Sequence, residues 1–250
     1  ALVSPALEER GRFGVGPGDD DARDAHDVEL EARRVEALDL LAGRYPITEN
    51  TPIYPDHTLM PYGRSKALAT LEVEAAVRER GLDAVTVIPT GFIGPYDHKL
   101  SPMTSMVQDF LVGRIPAGLV GGFDFVDIRD VAIGAVAAAE KGAAGSRFLL
   151  SGNYATVREI FRELEEITGR KAPRLDIPYG LSQVWGLIAE LYYAAWNRQP
   201  RYTRKSLRIL SLGVTVSGQK ADTVLGHSPR SLRESLVDTV RWLGMRDDAR

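Results

Sequence analysis

The chain has 250 residues, 44% of them hydrophobic and 26% charged, with a formal net charge of −3, the composition expected of a soluble globule of one large domain or a little more. No apolar run approaches the roughly 20 residues that span a bilayer, and with no cysteine a disulfide framework and thiolate chemistry are both excluded. Its four histidines (His26, His57, His98, His227) sit at no metal-ligand spacing, so no metal is expected, and the mildly acidic balance argues against a nucleic-acid partner.

Ala1 is followed by no basic-then-apolar leader, so a cytoplasmic protein is expected. Residues 1–45 hold 11 acidic side chains against 6 arginines, a net of −5, while the other 205 residues net +2. Gly14-Val15-Gly16-Pro17-Gly18 followed by three aspartates reads as a flexible, self-repelling loop. The glycines at 11, 14, 16 and 18 invite comparison with a phosphate-binding loop. Such a loop needs a preceding strand and a following helix, and Asp19, Asp20 and Asp21 would repel the anion. Only Val28 to Leu41 carries apolar residues at helical spacing.

Pro46 to Pro61 holds four prolines and reads as an extended surface loop. Pro61 and Tyr62 then open a helix to about Arg80, with Gly81 as its left-handed stop. Leu82 to Pro89 is β-branched enough for a strand buried on both faces. Thr90 to Pro95 is a glycine–proline loop at that strand's carboxyl end, where ligands bind in open α/β sheets. Met103 to Val112 reads as an amphipathic helix and Phe123 to Ile128 as an extended run. Asp130 is expected to cap a helix through Glu140, and Arg147 to Leu150 to form another strand. Capping boxes at Thr156–Glu159 and Ser231–Glu234 predict helices over 157–168 and 232–243. Between them Leu181 to Trp196 is an aromatic-rich helix, too interrupted for a membrane span.

The chemistry concentrates at Tyr62-Gly63-Arg64-Ser65-Lys66. A tyrosine and a lysine four residues apart on one helix share a face. A nearby ammonium favours a phenolate over a phenol, so such a pair can trade a proton with a substrate hydroxyl or carbonyl. Met103, Met106 and Phe110 fit an apolar substrate wall and an ordinary core equally well. Arg129 with Asp130 reads first as a helix start. Arg201, Arg204, Lys205 and Arg208 read as a solvated basic helix face rather than a phosphate site.

Several stretches in this order resemble the extended short-chain dehydrogenases/reductases, the NAD-dependent epimerase/dehydratase family. They are ITENTP (47–52), PYGRSKALAT (61–70), the PTGFIGP loop (89–95), FDFVDIRDVA (123–132), RFLLSGNYATVREIF (147–161) and KADTVLGHSPRSLRESLVDTVRWL (220–243). The likeness is greatest to the dihydroflavonol-reductase and 3β-hydroxysteroid-dehydrogenase-like branch. It implies an α/β fold: a partial Rossmann-like parallel sheet over 46–150 and a smaller, mostly helical substrate lobe over 151–250. It implies NAD or NADP as cofactor and a small-molecule alcohol or ketone as substrate. By resemblance Tyr62 is the catalytic acid/base, and Lys66 holds the nicotinamide ribose and favours the Tyr62 phenolate. The backbone of Pro89, Thr90 and Gly91, with Phe92 and Ile93 behind it, would lie against the nicotinamide. Substrate would sit between that loop, residues 96–126 and the C-terminal lobe.

The sequence departs from the family in two places. No strand–glycine-motif–helix unit precedes Tyr62, and positions 5–47 contain no serine or threonine to polarise the substrate oxygen. Without those amides tight cofactor binding is expected to be lost, and a missing oxyanion donor costs about 10²–10³ in rate. The change of composition near residue 46 is read as a fragment or a disrupted N-terminal reading of a longer enzyme. On that reading the sheet keeps an exposed edge that invites a partner chain, a homodimer among the options. The alternative is a catalytically silent α/β protein that binds a ligand or partner through its C-terminal helices.

Overall fold

Pro61 occupies the first position of a long helix, where a missing N–H costs nothing. In the computed structural model, which describes residues 46–57, 61–184 and 204–248, this helix, α1, runs Pro61–Arg80. It stops where the sequence predicts: Gly81 takes φ 66°, and the Val77 and Ala76 carbonyls accept from the N–H groups of Gly81 and Leu82. The glycine-rich stretch at 11–18, the helical spacing at 28–41 and most of the 181–196 helix lie outside the described residues, as does Arg201 of the basic patch.

Strands β1 (Thr86–Pro89) and β2 (Gly91–Ile93) follow, separated only by Thr90. The expected loop at 90–95 therefore begins as a strand. It is one extended segment that changes partner midway, because β1 pairs in parallel with β5 (Arg147–Leu150) while β2 pairs in parallel with β4 (Gly122–Asp127). A short β3 (Gly118–Leu119) pairs in parallel with β7 (Asp176–Ile177), and β6 (Asn153–Thr156) runs antiparallel to β4. The β5–β6 connection crosses close over β4 at Gly152. A Cβ there would overlap the Phe125 carbonyl oxygen, so only glycine passes. The expectation that β1 is buried on both faces is corrected: all four of its residues are half-buried. Its partner is β5 alone among the described residues, so one long edge lacks the second neighbour that full burial requires.

Helices α2 (Pro102–Leu111), α3 (Ile128–Lys141) and α4 (Val157–Thr168) connect these strands. Further helices are α5 (Arg204–Ser211), α6 (Gln219–Leu225) and α7 (Leu232–Asp248). The cap of α3 is a second correction. Asp127 fills it, accepting from the Arg129 N–H; Asp130 sits in the first turn, where it pairs with Arg230 of the segment before α7. The main core joins β2, β4, β6, α2, α4 and α7 through Ile93, Phe110, Phe125, Ile160, Phe161 and Leu236. Phe110 stacks on Phe161 at 5.7 Å, and Met103 and Met106 pack against the same cluster, which makes this trio core. A second cluster joins α3, β5 and α6 through Ala138, Phe148, Leu150 and Leu225.

Candidate active site

Two sets of side chains are candidates for the chemistry, one on α1 and one at the carboxyl ends of β2 and β4. On the first turn of α1, Tyr62 is 68% exposed and the Lys66 Nζ lies 5.7 Å from its ring centroid. Helical geometry alone produces this approach, since residues four apart stack on one face. The Ser65 hydroxyl is turned back onto the Tyr62 carbonyl at 2.8 Å, and Arg64 is held by Asp56 at 3.1 Å. Lys66 has no carboxylate partner among the described residues, so its ammonium is available to a ligand.

Pro89 stands in register with Leu150, and the Thr90 N–H donates to the Leu150 carbonyl at 3.2 Å. Gly91 is hemmed in: a Cβ would come within 3.0 Å of the Phe123 and Phe125 rings. Strand alternation then turns the last two residues apart. Ile93 is 4% exposed in the core, while the Phe92 ring is 47% exposed.

Beyond β2 the chain bends into a pocket of about 270 Å³. Its walls are Phe92 to Asp97 on one side, Ser101 and Thr104 of the α2 start on another, and Ile128 at the head of α3. Because β2 and β4 are parallel, Ile93 and Ile128 bring two strand ends to the same side of the sheet, the position ligands take in open α/β folds. Tyr62 and Lys66 do not line this pocket. Tyr96 adopts φ 72° and Leu100 φ 55°, a conformation costly for a bulky side chain and characteristic of functional loops.

Asp97 holds that loop in shape. Its carboxylate accepts from the Ser101 N–H at 2.6 Å, just ahead of α2, whose N-cap Ser101 makes no side-chain capping bond. Burial pushes the Asp97 carboxyl up, but hydrogen bonds from Thr104 and Ser101 outweigh it and hold the group below the ordinary carboxylate range. Behind the pocket, Gly94 (φ 127°) lies so close to Asp127 that a Cβ would be 3.1 Å from the carboxylate. Asp127 receives the Arg129 N–H and guanidinium at 2.8–2.9 Å, and Arg129 also reaches Asp238 of α7 at 2.8 Å. Burial raises the Asp127 carboxyl, yet the hydrogen bonds from Arg129 and Ser235 win and lower it; the same bonds raise Arg129.

The sequence reading set Phe92 and Ile93 behind the nicotinamide-facing backbone and substrate beside residues 96–126, a range that holds Tyr96, Asp97, Ser101 and Thr104 of this pocket; Ile128 lies outside it. Arg129 and Asp130 are taken up by ion pairs to α7 and its approach, which is a structural role. Side-chain capping closes the starts of α3, α4 and α7 with Asp127, Thr156 and Ser231. None of these helix starts offers free amides to a diphosphate. No cluster of His, Cys, Asp or Glu suited to a metal occurs among the described residues, and no helix among them is long and apolar enough to cross a membrane.

Comparison with known proteins gives a consistent picture. Residues 40–150 match the NAD dependent epimerase/dehydratase family. Over 198 residues the chain is 35% identical to sterol demethylase protein B of Methylococcus capsulatus, covering 78% of this chain and 60% of that protein. It is 30% identical over 185 residues to a putative dihydroflavonol 4-reductase of Synechocystis, covering 72% and 54%. The chain thus spans little more than half the length of these curated relatives. Among solved structures, gox2253 superposes with a TM-score of 0.69 at 26% identity, over 93% of this chain and 76% of that one. A nucleoside-diphosphate-sugar epimerase from Pseudomonas aeruginosa matches with a TM-score of 0.65 at 20% identity, over 82% and 61%, a likeness of fold alone.

Proposed function

Over residues 40–150 the chain belongs to the NAD-dependent epimerase/dehydratase family, and from that premise we propose a nicotinamide-dependent oxidoreductase or epimerase acting on a secondary alcohol or ketone. The observation that carries this reading is the Tyr62–Lys66 pair, exposed on the first turn of α1 with the ammonium 5.7 Å from the phenol ring. In the reducing direction the Tyr62 hydroxyl donates its proton to the substrate oxygen as the carbonyl carbon gains a hydride. In the oxidising direction it takes that proton back. Lys66 compensates the negative charge left on the tyrosine oxygen.

The residues fit one end of NAD or NADP. Lys66 has no carboxylate partner among the described residues, and the extended backbone of Pro89, Thr90 and Gly91, with the exposed Phe92 ring and Ile93 behind it in the core, would face the nicotinamide and its ribose. The other end has no such fit: the starts of α3, α4 and α7 are closed by side chains, and no strand–glycine-motif–helix unit precedes Tyr62. When bound, the nicotinamide supplies or accepts the hydride.

Tyr62→Phe keeps the ring and removes the proton. In an assay of NADH- or NADPH-dependent ketone reduction it is expected to lower kcat by about 10²–10⁴ with circular dichroism unchanged. Turnover equal to the parent overturns the assignment and favours a silent binding protein.

A further inference from the structure

We propose that the surface built from the end of α2, the α4–β7 connection and the helical turn after β7 docks on an anionic lipid bilayer, lying against it. The inference is independent of the hydride-transfer reading. Thr168 to Leu175 contains Arg170, Lys171 and Arg174 and no acidic residue, and Leu111 to Gly122 adds Arg114, again with no acid. The fold brings these two stretches together. Gly118 and Leu119 of β3 stand in register with Asp176 and Ile177 of β7, the Gly118 N–H donates to the Leu175 carbonyl at 2.8 Å, and a Cβ on Gly113 would overlap the Arg170 guanidinium. Four cations thus gather on a chain whose net charge is −3.

Their charge is not spent within the protein. Lys171 and Arg174 are exposed and have no carboxylate partner among the described residues. Arg114 approaches Asp109 only to 3.8 Å, and the neighbouring Asp176 is neutralised by Arg158 at 2.6 Å. Apolar side chains protrude among these cations. Leu175, beside Arg174, is 73% exposed, and Val120, Leu181 and Val184 are each more than half exposed. Leu181 and Val184, three apart in the helical residues 179–184, share a face, and exposed Tyr179 opens that turn, a residue type suited to the membrane–water boundary. Cations alone are an ordinary solvated face, and scattered apolar residues are common on any surface. Side by side they supply the two attractions of a peripheral membrane surface, apolar groups that enter the headgroup layer and charges drawn to anionic lipid. An acidic peptide would answer the cations alone; Leu175, Leu181 and Val184 select the bilayer.

The test is flotation of the full chain with vesicles of phosphatidylcholine alone and of phosphatidylcholine with about one third phosphatidylglycerol. The chain is expected to float with the anionic vesicles and not with the neutral ones, and to be released when sodium chloride is raised about fivefold. Lys171→Glu combined with Arg174→Glu is expected to weaken the binding at least about tenfold. Leu175→Ser, which leaves every charge in place, is expected to weaken it about threefold or more. These side chains are exposed, so the variants should fold, and circular dichroism matching the parent checks that they do. Ile133→Ser, at a 63% exposed position on α3, is expected to change nothing. Failure to float with anionic vesicles overturns the proposal, as does equal binding to neutral ones or an equal loss in Ile133→Ser. Binding lost in the double charge variant but unchanged in Leu175→Ser also overturns it, and would assign the patch to an acidic protein partner instead. Flotation is read without turnover, so the Tyr62 assay and this one can fail separately.

Discussion

Asp127 shows how one carboxylate can organise a site it does not enter. It caps α3, receives the Arg129 guanidinium and backs Gly94 of the pocket loop, with its side chain fully buried. Removing its charge weakens hydrogen bonds to a charged group, while Arg129 keeps its Asp238 partner. Asp127→Asn is therefore expected to cost about 1–3 kcal/mol, read from urea unfolding at pH 7. The pH dependence has a definite sign. A carboxyl whose folded pKa lies below its unfolded value near 4 adds stability that is complete above that value and lost as pH falls through the folded pKa. Asp97, Asp127 and Glu159 are all lowered, so the parent should lose stability steeply below about pH 4. Asp127→Asn should show a shallower fall, and an equal slope would mean that Asp127 is not a source of it.

At the scale of elements, local chemistry made most boundaries legible. Gly81 ends α1 because it alone tolerates the left-handed turn at no cost. Thr156 and Glu159 exchange hydrogen bonds at 2.8–3.1 Å, as do Ser231 and Glu234 at 2.9–3.2 Å, and the helices begin where those pairs predict. Thr156→Ala should cost about 1 kcal/mol in thermal or urea unfolding. A cost near zero would show that tertiary packing, not the cap, fixes the start of α4. Asp127 and Asp130 both precede helical positions, and the choice between them was not local. It depends on Arg230, 100 residues away, which draws Asp130 into the first turn. β2 was hidden for a similar reason, since three residues that begin with a glycine carry no strand periodicity and β4 alone makes them extended.

For the whole molecule, the sheet's two long edges are treated differently. The far edge of β5 is closed by side chains: the Leu149 N–H donates to Glu49 at 3.0 Å, and Lys220 donates to the Arg147 carbonyl at 2.8 Å. A neighbouring bridge joins Ile47 to Val216. Such capping prevents strand addition without a strand. Glu49→Ala should leave the Leu149 amide unpaired, lowering stability by about 1–3 kcal/mol. It should also raise light scattering at high concentration, whereas unchanged scattering would mean that the edge is protected elsewhere.

The Tyr62–Lys66 spacing and the helices and strands from Pro61 to Leu150, β2 and β3 apart, follow from the sequence by itself, because caps, turn glycines and the i, i+4 rule act over a few residues. The pocket was decided only by tertiary structure. Phe92, Tyr96, Asp97, Thr104 and Ile128 meet because β2 and β4 lie parallel and end together, and α7 holds that corner through Arg129 and Asp238. Pairing register and long-range charge contacts set such a meeting, and neither leaves a local signature in the chain.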